Sequence, residues 1–295
     1  MSGAVSTSTD KKYGIQRVCR VWEISRSTVY HQLRYAKEFP RRPGPVGPCT
    51  DKELVQHIRG VITVSGFHGE GYRKTWARLR YKGIRTSPGR TLRLMRENGL
   101  LAPQRIGHPH GPKAHDGTIT TRFVNEMWGT DMTTTFTLLD GNAAIFAAVD
   151  HCTAECVGLH VSKNQNRFEA LEPIRQGIYS NFQVFAKNIA SGLKIRHDHG
   201  SQYMSDDFQK EIDFFGMKSS PAYVREPEGN GCAERFFRTL KENLLWVRSF
   251  DTIEELRIAL KEFKKNYNDN WLIARHGYKS PRQYRMDLES AQEAA

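Results

Sequence analysis

Three acidic residues in separate segments have the types and spacing for chemistry on phosphodiesters. Asp131 opens an extended stretch after Trp128, Asp198 follows the short apolar run around Ile195, and 35 residues separate Asp198 from Glu234. Two divalent cations in such a site lie about 3.5–4 Å apart and share carboxylate oxygens, so their ligands must converge from different elements. The three acids therefore predict a site for divalent metal ions.

The segments around the two aspartates predict strands, whereas the segment around Glu234 predicts a helix. Glu234, Phe237, Lys241 and the pair Leu244-Leu245 recur every three or four residues. Lys241 lies seven residues, about two helical turns, beyond Glu234 and so shares its face. A carboxylate and a cation stacked in this way suit a metal ion and the phosphate beside it.

The elements that must position the acids alternate along the second half of the chain. The pattern predicts strands and helices in the order strand 128–138, strand 142–149, strand 155–161, helix 166–182, strand 193–198, helix 205–215, the Glu234 helix, and a helix from Ile253 to Tyr267. Asp140-Gly141 is a tight-turn signal that favours antiparallel pairing of the first two strands. The fold class is therefore α/β, with a mixed sheet that carries Asp131 in its middle.

These segments closely resemble the bacterial insertion-sequence transposases whose catalytic part is related to retroviral integrases. That family is marked by two aspartates and a glutamate. The resemblance covers nearly the whole chain, from Tyr13-Gly14-Ile15 through Gly71-Tyr72-Arg73-Lys74 and Arg96-Glu97-Asn98-Gly99-Leu100 to the segment from Gly231 to Lys241. It implies a ribonuclease-H-like catalytic core that flanks its mixed sheet with helices and follows small all-helical helix-turn-helix modules.

The resemblance also implies roles for the acids. Asp131, Asp198 and Glu234 would be the catalytic residues and the ligands of Mg²⁺, with Mn²⁺ as a substitute and two ions per site, and Lys241 would contact DNA near the transferred strand. Successive in-line attacks by water and by the freed 3′-hydroxyl would cut an element end and join it to target DNA, without a covalent enzyme intermediate. The resemblance, not the spacing, selects transposition over hydrolysis.

Charge is distributed unevenly along the 295 residues, whose net charge is +12. Residues 1–124 hold 23 Lys and Arg against 8 Asp and Glu, and residues 125–295 hold 21 against 24. A basic arm before a near-neutral body is typical of a protein that grips phosphates and releases counterions. The asymmetry predicts double-stranded DNA as the partner and disfavours a membrane.

Residues 1–38 predict a helix-turn-helix. Inward-facing apolar positions recur at helical spacing: Ile15, Val18, Val21 and Trp22 in the first helix, then Val29, Tyr30 and Leu33 in the second. Ser25 would cap the second helix and leave Arg26 on its exposed side, available to a DNA groove. The alternative is two packed helices with a solvated polar face.

A second basic module is predicted at residues 50–101, between a proline-rich linker at 39–49 and a connector at 102–123. Its pattern indicates three short helices, the second ended by Gly83 and the third capped by Ser87-Pro88. Few acids intervene among its outward basic residues, which we assign to phosphate contact: Arg73, Lys74, Arg78, Lys82, Arg85, Arg90, Arg93 and Arg96. The alternative is a charged, solvated helix face.

The remaining expectations concern the boundaries and the setting. The catalytic core would span 124–286, and 287–295 would be a frayed tail. Five scattered cysteines and a polar N-terminus predict a cytoplasmic protein with free thiols, associated with the nucleoid. The family often works with a small DNA-binding protein encoded just upstream, which makes such a protein a candidate partner beside homo-oligomers on DNA.

Two alternatives from other classes stay open. A ribonuclease-H-type nuclease would share the three acids but would not need a long basic arm, and it would form no joined product. A non-catalytic DNA-binding regulator would be favoured by loss of an acid or of Lys241, and all four residues are present.

Overall fold

The computed structural model describes residues 3–35, 49–103, 119, 121–222 and 230–293. They fall into two units, Met1–Cys49 and Thr50–Ala295. The predicted linker, except Cys49, and most of the predicted connector lie outside the described residues.

The first unit contains helix α1 (Ile15–Val21) and helix α2 (Arg26–Tyr35). The Ser25 hydroxyl accepts from the backbone N–H of Thr28 at 3.2 Å, which confirms the predicted cap. The inward assignment of four apolar residues was wrong, because more than half of each residue is exposed: Val21, Trp22, Tyr30 and Leu33. Two short helices enclose too little volume to bury apolar faces on both.

The second unit begins with the predicted three-helix module. Helix α3 (Asp51–Ser65) starts at Thr50 in a capping box, helix α4 (Tyr72–Tyr81) ends just before Gly83, and helix α5 (Pro88–Glu97) starts at Ser87, whose hydroxyl accepts from Arg90 N at 3.1 Å. Gly83 has φ +76°, the left-handed conformation that commonly follows a helix.

A mixed five-stranded sheet forms the centre of this unit. Its strands are β1 (Met127–Thr137), β2 (Gly141–Asp150), β3 (Cys156–Ser162), β4 (Lys194–His197) and β5 (Lys218–Pro221). The order is β3-β2-β1-β4-β5, in which β2 runs antiparallel to both β1 and β3, while β4 runs parallel to both β1 and β5. Asp131 lies on the middle strand, as predicted.

Helices cover both faces of the sheet. Helices α6 (Arg167–Phe182), α7 (Ser201–Met204) and α8 (Asp206–Phe214) pack on one face, and helices α9 (Gly231–Leu240) and α10 (Ile253–Asn270) on the other. Successive β2 residues alternate between the two cores: Phe146 packs with Trp128, and Ile145 packs with Phe236. A strand buried on both faces explains the apolar run at 143–149.

A strand, a short helix and a C-terminal helix among the described elements were not predicted. Strand β5 and helix α7 have four residues each, and the polar sequence of β5 carries no strand signal. Helix α11 (Pro281–Glu293) continues into the segment predicted as a tail. An ion pair between Lys279 and Asp287 links the middle of this helix to the chain before it.

The three-helix module packs directly on the C-terminal part of the core. The Phe67 and Trp271 rings lie 4.9 Å apart, the Trp76 and Tyr278 rings lie 6.0 Å apart, and Tyr81 Oη donates to the Tyr278 carbonyl at 2.9 Å. The segment after α10 is therefore a docking platform for α3–α5. Within the ranges described, no helix is both long enough and apolar enough to cross a membrane.

Candidate active site

Neighbouring strands place the two aspartates side by side. Strand β4 runs parallel to β1 with Trp128 paired to Ile195 and Gly129 paired to Arg196. Two more residues along the same register lead to Asp131 on β1 and to Asp198, which directly follows β4. Asp198 is thus at the strand end, one residue outside the predicted strand position.

Asp131 is largely buried, and its carboxylate is held by the chain. Its Oδ1 accepts from the backbone N–H of Met132 at 2.8 Å. Burial raises the pKa of Asp131 to about 6; the Met132 N–H lowers it, the charges of Asp198 and Glu234 raise it, and the charge of Lys241 lowers it. The charges of Asp198, Glu234 and Lys241 therefore all act on the carboxylate of Asp131.

Asp198 is exposed, and its carboxylate is oriented locally. Its Oδ1 accepts from the backbone N–H of Gly200 at 2.8 Å. The preceding His197 is fully buried, stacks on Tyr203 at 5.6 Å, and its Nε2 lies 2.9 Å from Ser219 Oγ. This buried histidine anchors the end of β4 and leaves Asp198 facing solvent.

Helix α9 carries Glu234 in its first turn. Its opposite face is buried in the core through Ala233, Phe236, Phe237 and Leu240. Glu234 itself is exposed, and partial burial of its carboxylate raises its pKa. Amphipathic periodicity therefore points this carboxylate away from the core, and its negative charge raises the pKa of Asp131 on strand β1.

Lys241 begins a π-helical turn, Lys241–Leu245, directly after α9. Its positive charge lowers the pKa of Asp131, an effect smaller than those of burial, the Met132 N–H and the other two acids. π-helical turns are often found at functional sites. Because the charges of both Glu234 and Lys241 act on Asp131, the structure is compatible with the prediction that these two residues share one helix face.

The donor set fits a hard divalent cation. All three groups are carboxylates, and hard ions such as Mg²⁺ prefer oxygen. In the part of the chain that the structure describes, no group of three His, Cys, Asp or Glu residues forms a ready metal cage. Mg²⁺ is commonly held by one or two carboxylates together with substrate phosphates, so a loose acidic site suits it.

Several of the basic residues predicted to bind DNA have acidic partners in the second unit. Arg78 pairs with the buried Glu70 through two hydrogen bonds of 2.6 and 2.8 Å and also donates to the Asn270 carbonyl. Asp51 accepts from both Arg90 and Arg93. Arg90 and Arg93 thus tie α5 to the start of α3, and Arg78 ties α4 to the residues before it and to the end of α10.

Other predicted DNA contacts have different surroundings. Lys74 lies over the ring of Trp271, and the exposed Arg73 contacts the Tyr72 hydroxyl. Arg26 is exposed on α2 of the first unit.

The turn between α4 and α5 holds a cavity that the sequence patterns did not single out. Arg80, Gly83, Arg85 and Thr86 line it. Arg80 lies 5.1 Å from the centre of the Trp76 ring, and Trp76 Nε1 donates to the Thr86 carbonyl at 2.8 Å. The sequence signal was present, because residues 71–96 contain no Asp or Glu.

Models of known protein families match three parts of the chain between residues 50 and 281. Two family models, both described as integrase core domain, match residues 122–227 and 216–281, and a model described as HTH-like domain matches residues 50–106. The integrase core matches agree with the observed mixed sheet and confirm the predicted ribonuclease-H-like fold.

The chain is also similar to curated proteins and to solved structures. Transposase InsD for insertion element IS2A/D/F/H/I/K of Escherichia coli is 25% identical over 283 residues, covering 92% of this chain and 91% of that protein. The catalytic core domain of BIV integrase is 18% identical, with a TM-score of 0.42, covering 57% of this chain and 99% of that one. The HTLV-2 integrase catalytic core domain in complex with magnesium is 19% identical, with a TM-score of 0.41, covering 55% and 96%.

The HTH-like and integrase core matches cover successive parts of the chain. The chain is thus similar to insertion-element transposases over nearly its whole length, and its second half matches the integrase core domain.

Proposed function

We propose that this protein cuts insertion-element ends and joins them to target DNA by in-line phosphodiester transesterification. The observation that supports the proposal is the parallel register of β1 and β4, which leads to Asp131 and Asp198 on neighbouring strands. The charges of Asp198 and of Glu234, in the first turn of α9, both raise the pKa of Asp131. Mutual repulsion of carboxylates at a half-buried site is relieved by divalent cations.

In this proposal Asp131, Asp198 and Glu234 hold two Mg²⁺ ions, with Mn²⁺ as a substitute. When bound, such ions lower the pKa of a water or 3′-hydroxyl and stabilise the leaving oxygen. Asp131 supplies a fixed carboxylate from the sheet, and the exposed Asp198 and Glu234 can adjust to the DNA. Lys241 contacts a phosphate of the transferred strand.

The chain grips DNA through basic residues that have no carboxylate partner among the described residues. We include Arg26, Arg73 and the two arginines of the α4–α5 cavity, Arg80 and Arg85. A cavity lined by two guanidinium groups fits a backbone phosphate, which arginine can bind through two hydrogen bonds. Arg78, Arg90 and Arg93, which the sequence assigned to DNA, are weaker candidates because carboxylates already accept from them.

The same proposal covers the assembly. It has the protein act as a homo-oligomer on double-stranded DNA in the bacterial cytoplasm, at the nucleoid. A small DNA-binding protein encoded upstream is a further candidate partner for end recognition.

The test uses a branched DNA that mimics a joined product, so the true element ends are not needed. Wild-type protein with Mg²⁺ or Mn²⁺ should rearrange the strands, and Asp198→Asn should abolish the rearranged product while still binding the DNA. Asp213→Asn, an exposed acid on α8, removes the same charge elsewhere and should leave the product unchanged.

The outcomes separate the alternatives. Cleaved but unjoined strands from wild-type protein would favour a ribonuclease-H-type nuclease. Full DNA binding without any reaction would favour a non-catalytic regulator.

A further inference from the structure

The side chain of Asn230 connects the helix of one proposed metal ligand to the strand of another. Asn230 directly precedes α9 and is only 7% exposed, and its Nδ2 donates to the Thr130 carbonyl at 3.0 Å. Thr130 is the residue before Asp131, and Glu234 lies one helical turn after Asn230. A single hydrogen bond therefore spans the two elements that must bring Asp131 and Glu234 together.

Gly129 makes this connection sterically possible. A Cβ atom at residue 129 would lie 2.5 Å from Asn230 Oδ1 and 2.7 Å from His151 Nε2. Carbon atoms do not approach polar atoms that closely without a shift of one of them. Only glycine at this position lets the Asn230 amide rest on strand β1.

His151 forms the other wall of the contact. It is fully buried, its backbone N–H donates to the Met127 carbonyl at 2.9 Å, and its Nδ1 lies 3.1 Å from the Ile119 carbonyl. A carbonyl only accepts, so Nδ1 carries the proton, and burial lowers the pKa of His151 and keeps the ring neutral. The backbone N–H and the ring Nδ1 thus fix His151 beside Gly129.

The two acceptor atoms beside Gly129 are distinctive. Asn230 Oδ1 and His151 Nε2 are buried, and neither meets an N–H or O–H donor in the described ranges. Both lie against the Cα of Gly129, where weak C–H contacts are available to them. Two buried acceptors without a donor are unfavourable for stability, so the close packing of Asn230 and His151 on Gly129 points to a positional role for this contact.

The rest of α9 is held by other means. Phe236, Phe237 and Leu240 bury the second and third turns in the core. The first turn, which carries Glu234, also has Cys232 and Ala233 buried in the core. To this non-directional burial Asn230 adds a directional hydrogen bond, which ties the turn of Glu234 to strand β1.

We propose that Asn230 is a positioning residue, which with Gly129 and His151 holds Glu234 in register with Asp131 for shared metal binding. The inference rests on the proposed function, because it assumes that both acids bind divalent ions. On this inference Asn230 does not contact DNA, because its amide nitrogen already donates to the Thr130 carbonyl and its side chain is buried.

The test is the affinity of the full chain for Mn²⁺, measured by electron paramagnetic resonance without DNA, beside thermal unfolding. Asn230→Ala should weaken Mn²⁺ binding by about tenfold, the lower end of the range seen when groups supporting metal ligands are lost. Activity does not enter this readout.

Asn243→Ala is the matched control. Asn243 is 8% exposed, its Nδ2 donates to the Thr239 carbonyl at 2.8 Å, and its Oδ1 accepts from His68 N at 2.7 Å. It lies nine residues beyond Glu234, so its loss should lower the unfolding temperature at least as much as Asn230→Ala and leave Mn²⁺ affinity unchanged.

Asn230→Ser separates positioning from stability. Serine is a good N-cap residue, so α9 should keep or gain stability, but its side chain is too short to reach the Thr130 carbonyl. The inference predicts weakened Mn²⁺ binding by a fully folded variant.

Three results would overturn the inference. Wild-type affinity in both Asn230 variants would remove it while leaving the proposed metal site standing, as would an equal loss of affinity in Asn243→Ala. No Mn²⁺ binding by the wild-type chain would instead contradict the metal site of the proposed function, and the inference with it.

Discussion

At the scale of single residues, the main feature of the candidate site is the carboxylate of Asp131, whose surroundings disfavour its negative charge. Asp131 lies on a buried strand, with burial raising its pKa to about 6. The sequence predicted that Asp131 lies within a strand and needs a partner, because an aspartate among apolar strand residues is unfavourable when its charge is unpaired. The register that places Asp198 beside it was not, since strand pairing depends on contacts far apart in sequence.

Replacing Asp131 by asparagine should stabilise the metal-free protein at neutral pH. The folded-state pKa is raised above the ordinary value of 3.8, so the folded state carries an electrostatic cost that is full above pH about 6 and disappears as the pH falls below 3.8. The substituted amide keeps an oxygen for the Met132 N–H. The expected gain is on the order of 2 kcal/mol by denaturant unfolding with a chelator present.

Asp213→Asn, at an exposed position, should change stability little at any pH. A metal-free Asp131→Asn protein that is less stable than wild type at neutral pH would contradict the assignment.

At the scale of elements, helix α4 and helix α5 show why a cluster of like charges is hard to interpret from sequence. Periodicity and caps predicted both helices, but they could not show that Arg78, Arg90 and Arg93 meet Glu70 and Asp51. Those carboxylates lie before α4 in the sequence and reach the arginines only through folding. The partner of each arginine, rather than its exposure on a helical wheel, decides which ones are available to DNA.

The double variant Arg80→Ala, Arg85→Ala should therefore weaken binding to a short labelled duplex and flatten its salt dependence. The slope of log K against log salt should fall by about 0.9 for each phosphate that the variant no longer neutralises. Fluorescence anisotropy over a salt series measures it.

Arg90→Ala, Arg93→Ala removes the same charge from acid-paired positions. It should leave the slope near that of wild type and lower the unfolding temperature. A larger decrease of slope in this pair than in the cavity pair would reverse the assignment.

At the scale of the whole molecule, the sequence predicted modules joined by connectors, and the residues from Thr50 on form one compact unit. The mixed sheet follows from strand and helix periodicity, as does the kind of element in or beside which each acid lies. The docking of α3–α5 does not, because aromatic residues such as Phe67 and Trp271 meet across some 200 residues of chain. Phe67 belongs to the core cluster that covers one face of the sheet.

A fragment of residues 124–295, which lacks α3–α5, should be markedly less stable than a fragment of residues 50–295. Losing Phe67 alone removes a buried aromatic side chain, a change that costs about 3–5 kcal/mol in protein cores. Calorimetric unfolding of the two fragments would compare them, and equal midpoints would show that the module is independent of the core.

In the proposed function, Asp131, Asp198 and Glu234 form one centre for divalent ions. The number and affinity of Mn²⁺ ions bound to the full chain with branched DNA test this, for wild type, Asp131→Asn, Asp198→Asn, Glu234→Gln and Asp213→Asn. We expect two ions in wild type and Asp213→Asn, and weaker or fewer ions in each of the other three. Wild-type binding in any one of those three would show that the substituted acid is not a metal ligand.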